Sequence, residues 1–378
     1  MTQVADTPTK AATGLPTLRG IEHVSMTVPD LDEATEFFAD MFGCRTLYTM
    51  GPFSGSQERP RTSFMRKYAN ADVRAVVHNV RVMRSPFLNI ELFEASYPGQ
   101  RAIWPDFLDI GGWHLSGYVE DIDAAIEYAG ARDVYLLGEG KKATGGPEVG
   151  DGSWACHFMT SWGFRFELLT FPHGRAYEAS FANRLWNPAK PETGPSGFSP
   201  LGGVPTFRGF EHVSMTVPDL EEATRLFVDV LGAERFYDLE PVLDRHTSGF
   251  GAYANADARA APSRVRLLRT RYLNLEVVEC PDYPGQDRRW PGMLDIGGWH
   301  LAFYVDDVDA ALARLNDFDL RVLGGKKPAY RYEAGDEAYT VHCLTPFGFY
   351  FELVTYPNGR YRAAEFAGPA WHPADATR

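Results

Sequence analysis

Four His–Glu pairs recur at matching places in the two halves of this 378-residue chain, inside segments that are otherwise apolar. The first half supplies His23, Glu91, His114 and Glu167, and the second half supplies His212, Glu276, His300 and Glu352. Burying a carboxylate in a strand such as NIELF or FRFEL is costly unless it is paired or bound to a metal. Two imidazoles and two carboxylates around one cavity suit a divalent first-row metal with open coordination positions. The pattern therefore predicts one metal site in each half.

Two members of this set are ambiguous in the sequence. Glu91 and Glu276 are each followed three residues later by another glutamate, Glu94 and Glu279. Either member of each pair could face solvent while the other faces the cavity, and the sequence leaves this open.

A third histidine pair, His157 and His342, lies one strand before the ligands Glu167 and Glu352. Histidine titrates near neutral pH, so we expect a general acid/base or oxyanion-stabilising role for this pair. A structural hydrogen bond across the sheet is the alternative. The predicted catalytic residues are therefore His157, His342, Glu167 and Glu352, the two glutamates serving also as metal ligands.

An internal repeat determines how these residues are positioned. RGIEHVSMTVPDLDEATEFF begins at Arg19 and RGFEHVSMTVPDLEEATRLF begins at Arg208, while LDIGGWHL occurs at Leu108 and again at Leu294. Residues 189–206 are rich in Pro and Gly, which is typical of a linker. We predict a disordered arm at 1–14, a first domain at 15–188, the linker at 189–206 and a second domain at 207–373.

Each half also divides into two similar modules. EHVSMTVP alternates like a half-buried strand, and Asp30 with Glu33 resembles the capping box that starts a helix. Gly43 is placed to end that helix, and strand-like segments follow it. The order strand–helix–three strands then repeats. We therefore predict an α+β fold of two tandem domains, each a pair of βαβββ modules forming a half-open metal-binding cup.

Composition limits the partners and the compartment. The net charge of −13 disfavours nucleic acid and anionic membrane surfaces, and no apolar run reaches the length of a membrane span. The first residues lack the apolar core of a signal peptide. The four cysteines, Cys44, Cys156, Cys280 and Cys343, form no CxxC motif. They are typical of reduced thiols in a cytoplasmic protein.

HVSMTVPDLDEATEFF, together with the T-x-x-G-x-x-x-E patterns that end at Glu167 and Glu352, resembles the vicinal oxygen chelate superfamily. That group includes glyoxalase I, methylmalonyl-CoA epimerase, fosfomycin and bleomycin resistance proteins, and extradiol dioxygenases. The resemblance implies metal ligands on the first strand of each module and on its last strand, which are the eight positions named above. It also implies a small-molecule substrate that chelates the metal through two adjacent oxygens.

The resemblance leaves three functions open. The predicted cofactor is one divalent metal per domain, Fe, Ni, Zn, Co or Mn. Glyoxalase-like or epimerase-like proton transfer, by an isomerase or lyase with Ni, Zn, Co or Mn, is favoured by the presence of Glu91 and Glu276. An Fe(II)-dependent extradiol dioxygenase would use two His and one Glu, but His342 stands where the signature of those enzymes has a Tyr. A resistance protein that only sequesters its ligand generally lacks the metal ligands. A homo-oligomer is not excluded.

Overall fold

The structure is a computed structural model that describes residues 14–54, 64–142, 146–192, 198, 202–239, 264–281 and 283–374. Almost all of the predicted arm and the central part of the predicted linker lie outside these residues. The pentapeptide YANAD occurs at Tyr68 and again at Tyr253, and its second copy also lies outside the described residues.

The described chain is built mainly of β-strands. In chain order they are β1 (Leu18–Thr27), β2 (Arg45–Met50), β3 (Phe53–Ser54), β4 (Val76–Ser85), β5 (Leu88–Ser96), β6 (Trp113–Val119), β7 (Val134–Lys142), β8 (Trp154–Thr160), β9 (Arg165–Thr170), β10 (Phe207–Val217), β11 (Glu234–Leu239), β12 (Arg264–Arg269), β13 (Asn274–Glu279), β14 (Trp299–Val305), β15 (Arg321–Pro328), β16 (Tyr339–Leu344) and β17 (Tyr350–Thr355). Four βαβββ modules follow one another in this order, as the sequence predicts.

The helices are short, and those that follow the first strand of each module begin at an aspartate cap, where the repeat places them. They are α1 (Leu31–Phe42), α2 (Phe64–Ala69), α3 (Ile122–Gly130), α4 (Leu220–Arg225, extended by a π-turn over Leu226–Val230) and α5 (Val308–Leu315). The Asp30 carboxylate accepts hydrogen bonds from the backbone N–H groups of Asp32 and Glu33, and Gly43 ends α1 in the left-handed conformation at φ 62°. Within the described residues, no helix is long and apolar enough to cross a membrane.

The strands form two mixed sheets, and each sheet combines modules from both halves of the chain. The nine-stranded sheet has the order β15-β16-β17-β14-β1-β5-β4-β2, with β3 beside β4, and the eight-stranded sheet has the order β11-β12-β13-β10-β6-β9-β8-β7. The α+β class and the tandem repeat are confirmed. The expected grouping of modules is corrected, because the first module pairs with the fourth and the second with the third.

This pairing has a physical reason that the sequence pattern does not contain. The first strand of every module offers an edge with the same alternation, so hydrophobic pattern alone does not select its neighbour. In the structure β1 runs antiparallel to β14, with Ser25 opposite His300, and β10 runs antiparallel to β6, with Ser214 opposite His114. The chain therefore crosses between sheets after β5 and again after β13.

The main core lies on the side of the sheets that the helices cover. Its largest buried cluster joins apolar residues of both sheets to the apolar faces of α1, α3, α4 and α5. Val24 and Met26 of β1 belong to this core, so His23 and Ser25, which alternate with them, face the opposite side of the sheet. We call that opposite side the metal-binding face. The four cysteines are buried thiols.

Candidate metal centres

The first cluster lies on four adjacent strands of the nine-stranded sheet. From β17, β14, β1 and β5 come the side chains of Glu352, His300, His23 and Glu91. The Nε2 atoms of His23 and His300 are 3.3 Å apart. Glu91 Oε2 lies 3.4 Å from His23 Nε2, and Glu352 Oε2 lies 3.6 Å from His300 Nε2. Two carboxylates thus flank two imidazoles around one point.

The second cluster repeats this arrangement in the eight-stranded sheet with one difference. His212 Nε2 lies 3.3 Å and His114 Nε2 lies 3.8 Å from Glu167 Oε2. Glu276 is on the same face, but its carboxylate accepts a hydrogen bond from Ser214 at 2.7 Å. Among the described residues, the group whose ligand atoms all lie close together here is His114, Glu167 and His212. Both clusters draw ligands from both halves, which corrects the expectation of one complete set per half.

The residues present fit a divalent metal. Ligand atoms bound to one ion at about 2.0 to 2.2 Å lie roughly 3 to 4 Å from one another, which is the spacing in both clusters. The Nε2 atoms of His114 and His212 are buried without a hydrogen-bond partner, which costs free energy unless something binds there. Nitrogen and oxygen ligands in this mixture suit Mn, Fe, Co, Ni or Zn.

Behind each cluster lies a carboxylate that the sequence analysis did not identify. Glu22 Oε2 lies 2.5 Å from His23 Nδ1, and Glu211 Oε2 lies 2.6 Å from His212 Nδ1. The strand register shifts between Ile21 and His23, and this β-bulge lets the adjacent residues Glu22 and His23 lie on the same side of the sheet. Such a carboxylate fixes the orientation of a ligand imidazole and leaves Nε2 for the metal. The repeated Glu-His dipeptide was the available signal, but regular alternation placed the two residues on opposite faces.

Burial and mutual contacts shift the pKa values of the cluster side chains. Burial alone would lower the pKa of His23, but Glu91 and Glu22 raise it well above its usual range. Burial would also lower the pKa of His212, but its hydrogen bond with Glu211 raises that pKa to about 9. For Glu352 the signs are reversed, because burial would raise the pKa but the adjacent histidines hold it far below its usual range. The Glu352 carboxylate is therefore ionised, and a bound cation would replace the imidazolium protons that otherwise compensate it.

The third histidine pair touches the ligand glutamates. His157 Nε2 lies 3.5 Å from Glu167 Oε1, and His342 Nδ1 lies 3.6 Å from Glu352 Oε1. Burial lowers the pKa of His157 to about 4 and that of His342 to about 3. Both imidazoles are therefore neutral at physiological pH. The acid/base role remains a prediction, and a neutral ring can also orient the glutamate oxygen it approaches.

The comparisons with known proteins agree with this geometry. Residues 22–149 and 211–340 match the Glyoxalase/Bleomycin resistance protein/Dioxygenase superfamily. The chain belongs to this superfamily. Because the family model matches once in each half of the chain, the resemblance to tandem vicinal oxygen chelate proteins is confirmed.

Individual relatives extend this result. A 2-epi-5-epi-valiolone epimerase from an Actinomyces species is 36% identical over 176 residues, which are 46% of this chain and 92% of that epimerase. Glyoxalase I from Zea mays shares the fold, with TM-score 0.52 and 14% identity over 89% of this chain and 92% of the maize chain. A putative dioxygenase from Bacillus subtilis also shares it, with TM-score 0.53 and 14% identity over 91% of this chain and 87% of the other.

Proposed function

We propose that this protein is a divalent-metal-dependent epimerase that acts beside the carbonyl group of a small polyhydroxylated ketone. The observation that carries the proposal is the first cluster, in which Glu91 and Glu352 lie on the outer strands and His23 and His300 lie between them. Epimerisation needs a proton removed from one face of a carbon and another delivered to its opposite face. Carboxylates on two sides of one centre suit this requirement.

Each group of the cluster has a role in this proposal. A bound divalent cation supplies a Lewis acid that polarises the carbonyl and holds two adjacent oxygens of the substrate. One flanking carboxylate would take the proton from the carbon next to the carbonyl. The other, carrying a proton taken up from water, would deliver it to the opposite face, and exchange with water would then restore both groups. Glu22 holds the ring of His23 in place through Nδ1, and His342 approaches the Glu352 oxygen that does not face the other ligands.

The substrate class comes from the epimerase relative. Valiolones are cyclic ketones that carry several hydroxyl groups, including one beside the carbonyl. The 36% identity to a 2-epi-5-epi-valiolone epimerase supports a substrate of this kind. The adjacent hydroxyl and carbonyl oxygens would supply the two donors that the centre is arranged to receive.

A second candidate function rests on the second cluster. Two His and one Glu, with Glu276 turned to Ser214, form the set that non-haem Fe(II) oxygenases use. Ring-cleaving oxygenation of a catechol therefore remains the alternative for this site. Metal content separates the two functions, because only the oxygenase requires iron.

The test uses the full chain, purified without oxygen and analysed for each metal. Portions loaded with Mn, Ni, Co, Zn or Fe are then incubated with 2-epi-5-epi-valiolone in D2O. We expect deuterium at the carbon beside the carbonyl and formation of the epimer, both abolished by Glu352→Gln combined with Glu167→Gln. Absence of exchange with every metal, together with oxygen uptake on catechols by the iron form, would reject the epimerase.

A further inference from the structure

A further carboxylate, that of Glu333, lies on the metal-binding face of the nine-stranded sheet and is distant in sequence from the ligands of the first cluster. The OH group of Tyr48 on β2 donates a hydrogen bond to Glu333 Oε1 at 3.0 Å. Tyr48 is opposite Val82, and Val82 is opposite Glu91. Directly opposed residues share a face, so Tyr48 lies beside the first cluster, about 10 Å or two strand spacings from Glu91.

The same pair recurs beside the second cluster, although the surrounding sequence has diverged. Tyr237 is opposite Leu267, which is opposite Glu276, so Tyr237 also shares the face of its cluster. Its OH group donates to Glu148 Oε1 at 3.0 Å. Glu148 and Glu333 each begin an E-x-G-D sequence, at 148–151 and 333–336. Both sheets thus place a Tyr–Glu pair next to the predicted metal.

A buried arginine side chain lies near each Tyr–Glu pair. Arg175 Nη1 lies 3.6 Å from Glu148 Oε1 and also 3.6 Å from Glu211 Oε1. In the other sheet, Arg360 Nη2 lies 3.3 Å from Glu22 Oε1, and its Nε is buried without a hydrogen-bond partner. Each arginine therefore forms an ion pair with the carboxylate that holds a ligand histidine, Arg175 with Glu211 and Arg360 with Glu22. An unpaired buried donor of this kind is costly unless a bound molecule satisfies it.

Aromatic rings surround the first of these pairs. Tyr332 stacks on Tyr48, with ring centres 5.2 Å apart and planes at 14°, and Phe366 lies 4.6 Å from the Tyr48 ring. Beside the second pair, Tyr177 lies 5.0 Å from Tyr237. An apolar and aromatic lining with a few converging polar groups is typical of a small-molecule site.

We propose that Tyr48, Glu333 and Arg360 form a polyol-recognition subsite beside the first cluster, and that Tyr237, Glu148 and Arg175 form its counterpart beside the second. Each subsite binds hydroxyl groups on the part of the substrate remote from the carbonyl. The inference rests on the proposed function, since it places the remainder of the same ketone. Carboxylate oxygens accept hydrogen bonds from hydroxyl groups, and the arginine donates one.

Charge restricts the class of polyol. Arg360 forms an ion pair with Glu22 and lies near enough to Glu333 to oppose the rise in its pKa, and both ligand glutamates face the same side. A phosphate or carboxylate on the remote part of a substrate would be repelled by the ionised Glu352, whose charge is felt at Glu333. The subsites therefore select neutral polyhydroxylated rings over phosphorylated sugars and over anionic thioester conjugates.

The experiment compares the wild-type chain with a double variant, Glu148→Gln with Glu333→Gln. A matched control, Asp151→Asn with Asp336→Asn, changes the exposed aspartates of the same two E-x-G-D sequences. Titration calorimetry measures binding of scyllo-inositol, a cyclic polyol without a carbonyl. Exchange in D2O is measured in parallel for an inosose and for hydroxyacetone, which has adjacent oxygens but no further hydroxyl groups.

We expect the double glutamine variant to bind scyllo-inositol about tenfold to a hundredfold more weakly, and the control to match wild type. The ratio of inosose to hydroxyacetone exchange should fall by a similar factor. If the double variant fails to fold, Tyr48→Phe with Tyr237→Phe, which preserves shape, should weaken scyllo-inositol binding in the same direction.

Two results overturn this inference: wild-type chain that does not bind scyllo-inositol, or an unchanged affinity and exchange ratio in the folded variants. A chain that binds scyllo-inositol at these residues but exchanges neither ketone would reject the proposed function and retain the polyol subsites.

Discussion

At the scale of single residues, the two clusters differ in one glutamate. Glu91 approaches His23 Nε2, whereas its counterpart Glu276 is held by Ser214. In each cluster two histidines and one glutamate have ligand atoms that all lie within 4.8 Å of one another, and in the first cluster Glu91 adds a further carboxylate 3.4 Å from His23 Nε2. The first site should therefore bind a divalent metal more tightly, because Glu91 provides an additional oxygen ligand close to the histidines.

This difference predicts unequal effects of two matching substitutions. Glu91→Gln should weaken metal binding at its site by more than roughly tenfold to hundredfold, the loss typical when a residue that only hydrogen-bonds to a ligand is substituted. Glu276→Gln should cost less than about tenfold, because among the described residues its carboxylate makes no contact within 4 Å with His114 or His212, whereas Glu91 Oε2 lies 3.4 Å from His23 Nε2. Calorimetric titration with Mn or Ni would measure both. Equal losses would show that Glu276 turns from Ser214 to the metal.

Glu333 gives a pH-dependent prediction at the same scale. Burial raises the pKa of this carboxyl to about 7, opposed by Arg360 and assisted by Glu91 and Glu352. The raised value means that the protonated form stabilises the fold below about pH 4.5 and that this contribution is lost as the pH rises through about 7. Glu333→Gln stays neutral, so its stability relative to wild type should increase with pH.

Thermal unfolding at about pH 5 and about pH 8 measures this change, which should reach on the order of 1 to 3 kcal/mol. Glu337→Gln is the control, because Glu337 is exposed in the same loop. A relative stability of Glu333→Gln that is independent of pH would show that the carboxyl titrates normally.

At the scale of elements, a tryptophan pair joins the starts of β6 and β14. The rings of Trp113 and Trp299 stack with centres 4.9 Å apart, and both side chains are fully buried. Each indole N–H donates to a glycine carbonyl preceding the other strand, Trp113 to Gly297 and Trp299 to Gly111, both at 3.1 Å. The pair lies one residue from His114 and His300 and therefore ties the two metal-binding sheets together.

Trp113→Phe removes one of these hydrogen bonds, leaves the Gly297 carbonyl unpaired and opens space in the core. We expect a loss of about 2 to 4 kcal/mol in the free energy of unfolding. Trp154→Phe, at a position 37% exposed, should change it by less than about 0.5 kcal/mol. Denaturant titration compares the two, and equal effects would contradict the proposed link between the sheets.

Local patterns accounted for the elements but not for every side chain around the site. The Asp30 cap and the Gly43 ending follow from neighbouring residues, and both were predictable. The expectation that β1 is half-buried was wrong, because residues 20–27 are buried on both faces of the sheet. The bulge at Glu22 was not predictable, because an added residue in a strand depends on how its partner pairs. The Tyr48–Glu333 bond joins residues of the first and fourth modules, and repeat spacing contains no information on such a contact.

At the scale of the whole molecule, the sequence predicted four modules and the eight positions around the two sites, but not which modules share a sheet. Four first strands with nearly the same pattern are interchangeable until long-range pairing distinguishes them. The structure pairs the first module with the fourth, so a metal centre needs both halves of the chain. Each metal centre is thus built jointly by the two halves of the chain.

The most direct test is the metal content of two double-histidine variants of the full chain. His23→Ala with His300→Ala changes one cluster only, so the second site should retain its metal. His23→Ala with His114→Ala changes both clusters and should leave neither site able to bind tightly. We predict about half the wild-type metal content in the first variant and almost none in the second. The reverse result would mean that each half encloses its own centre and would contradict the account.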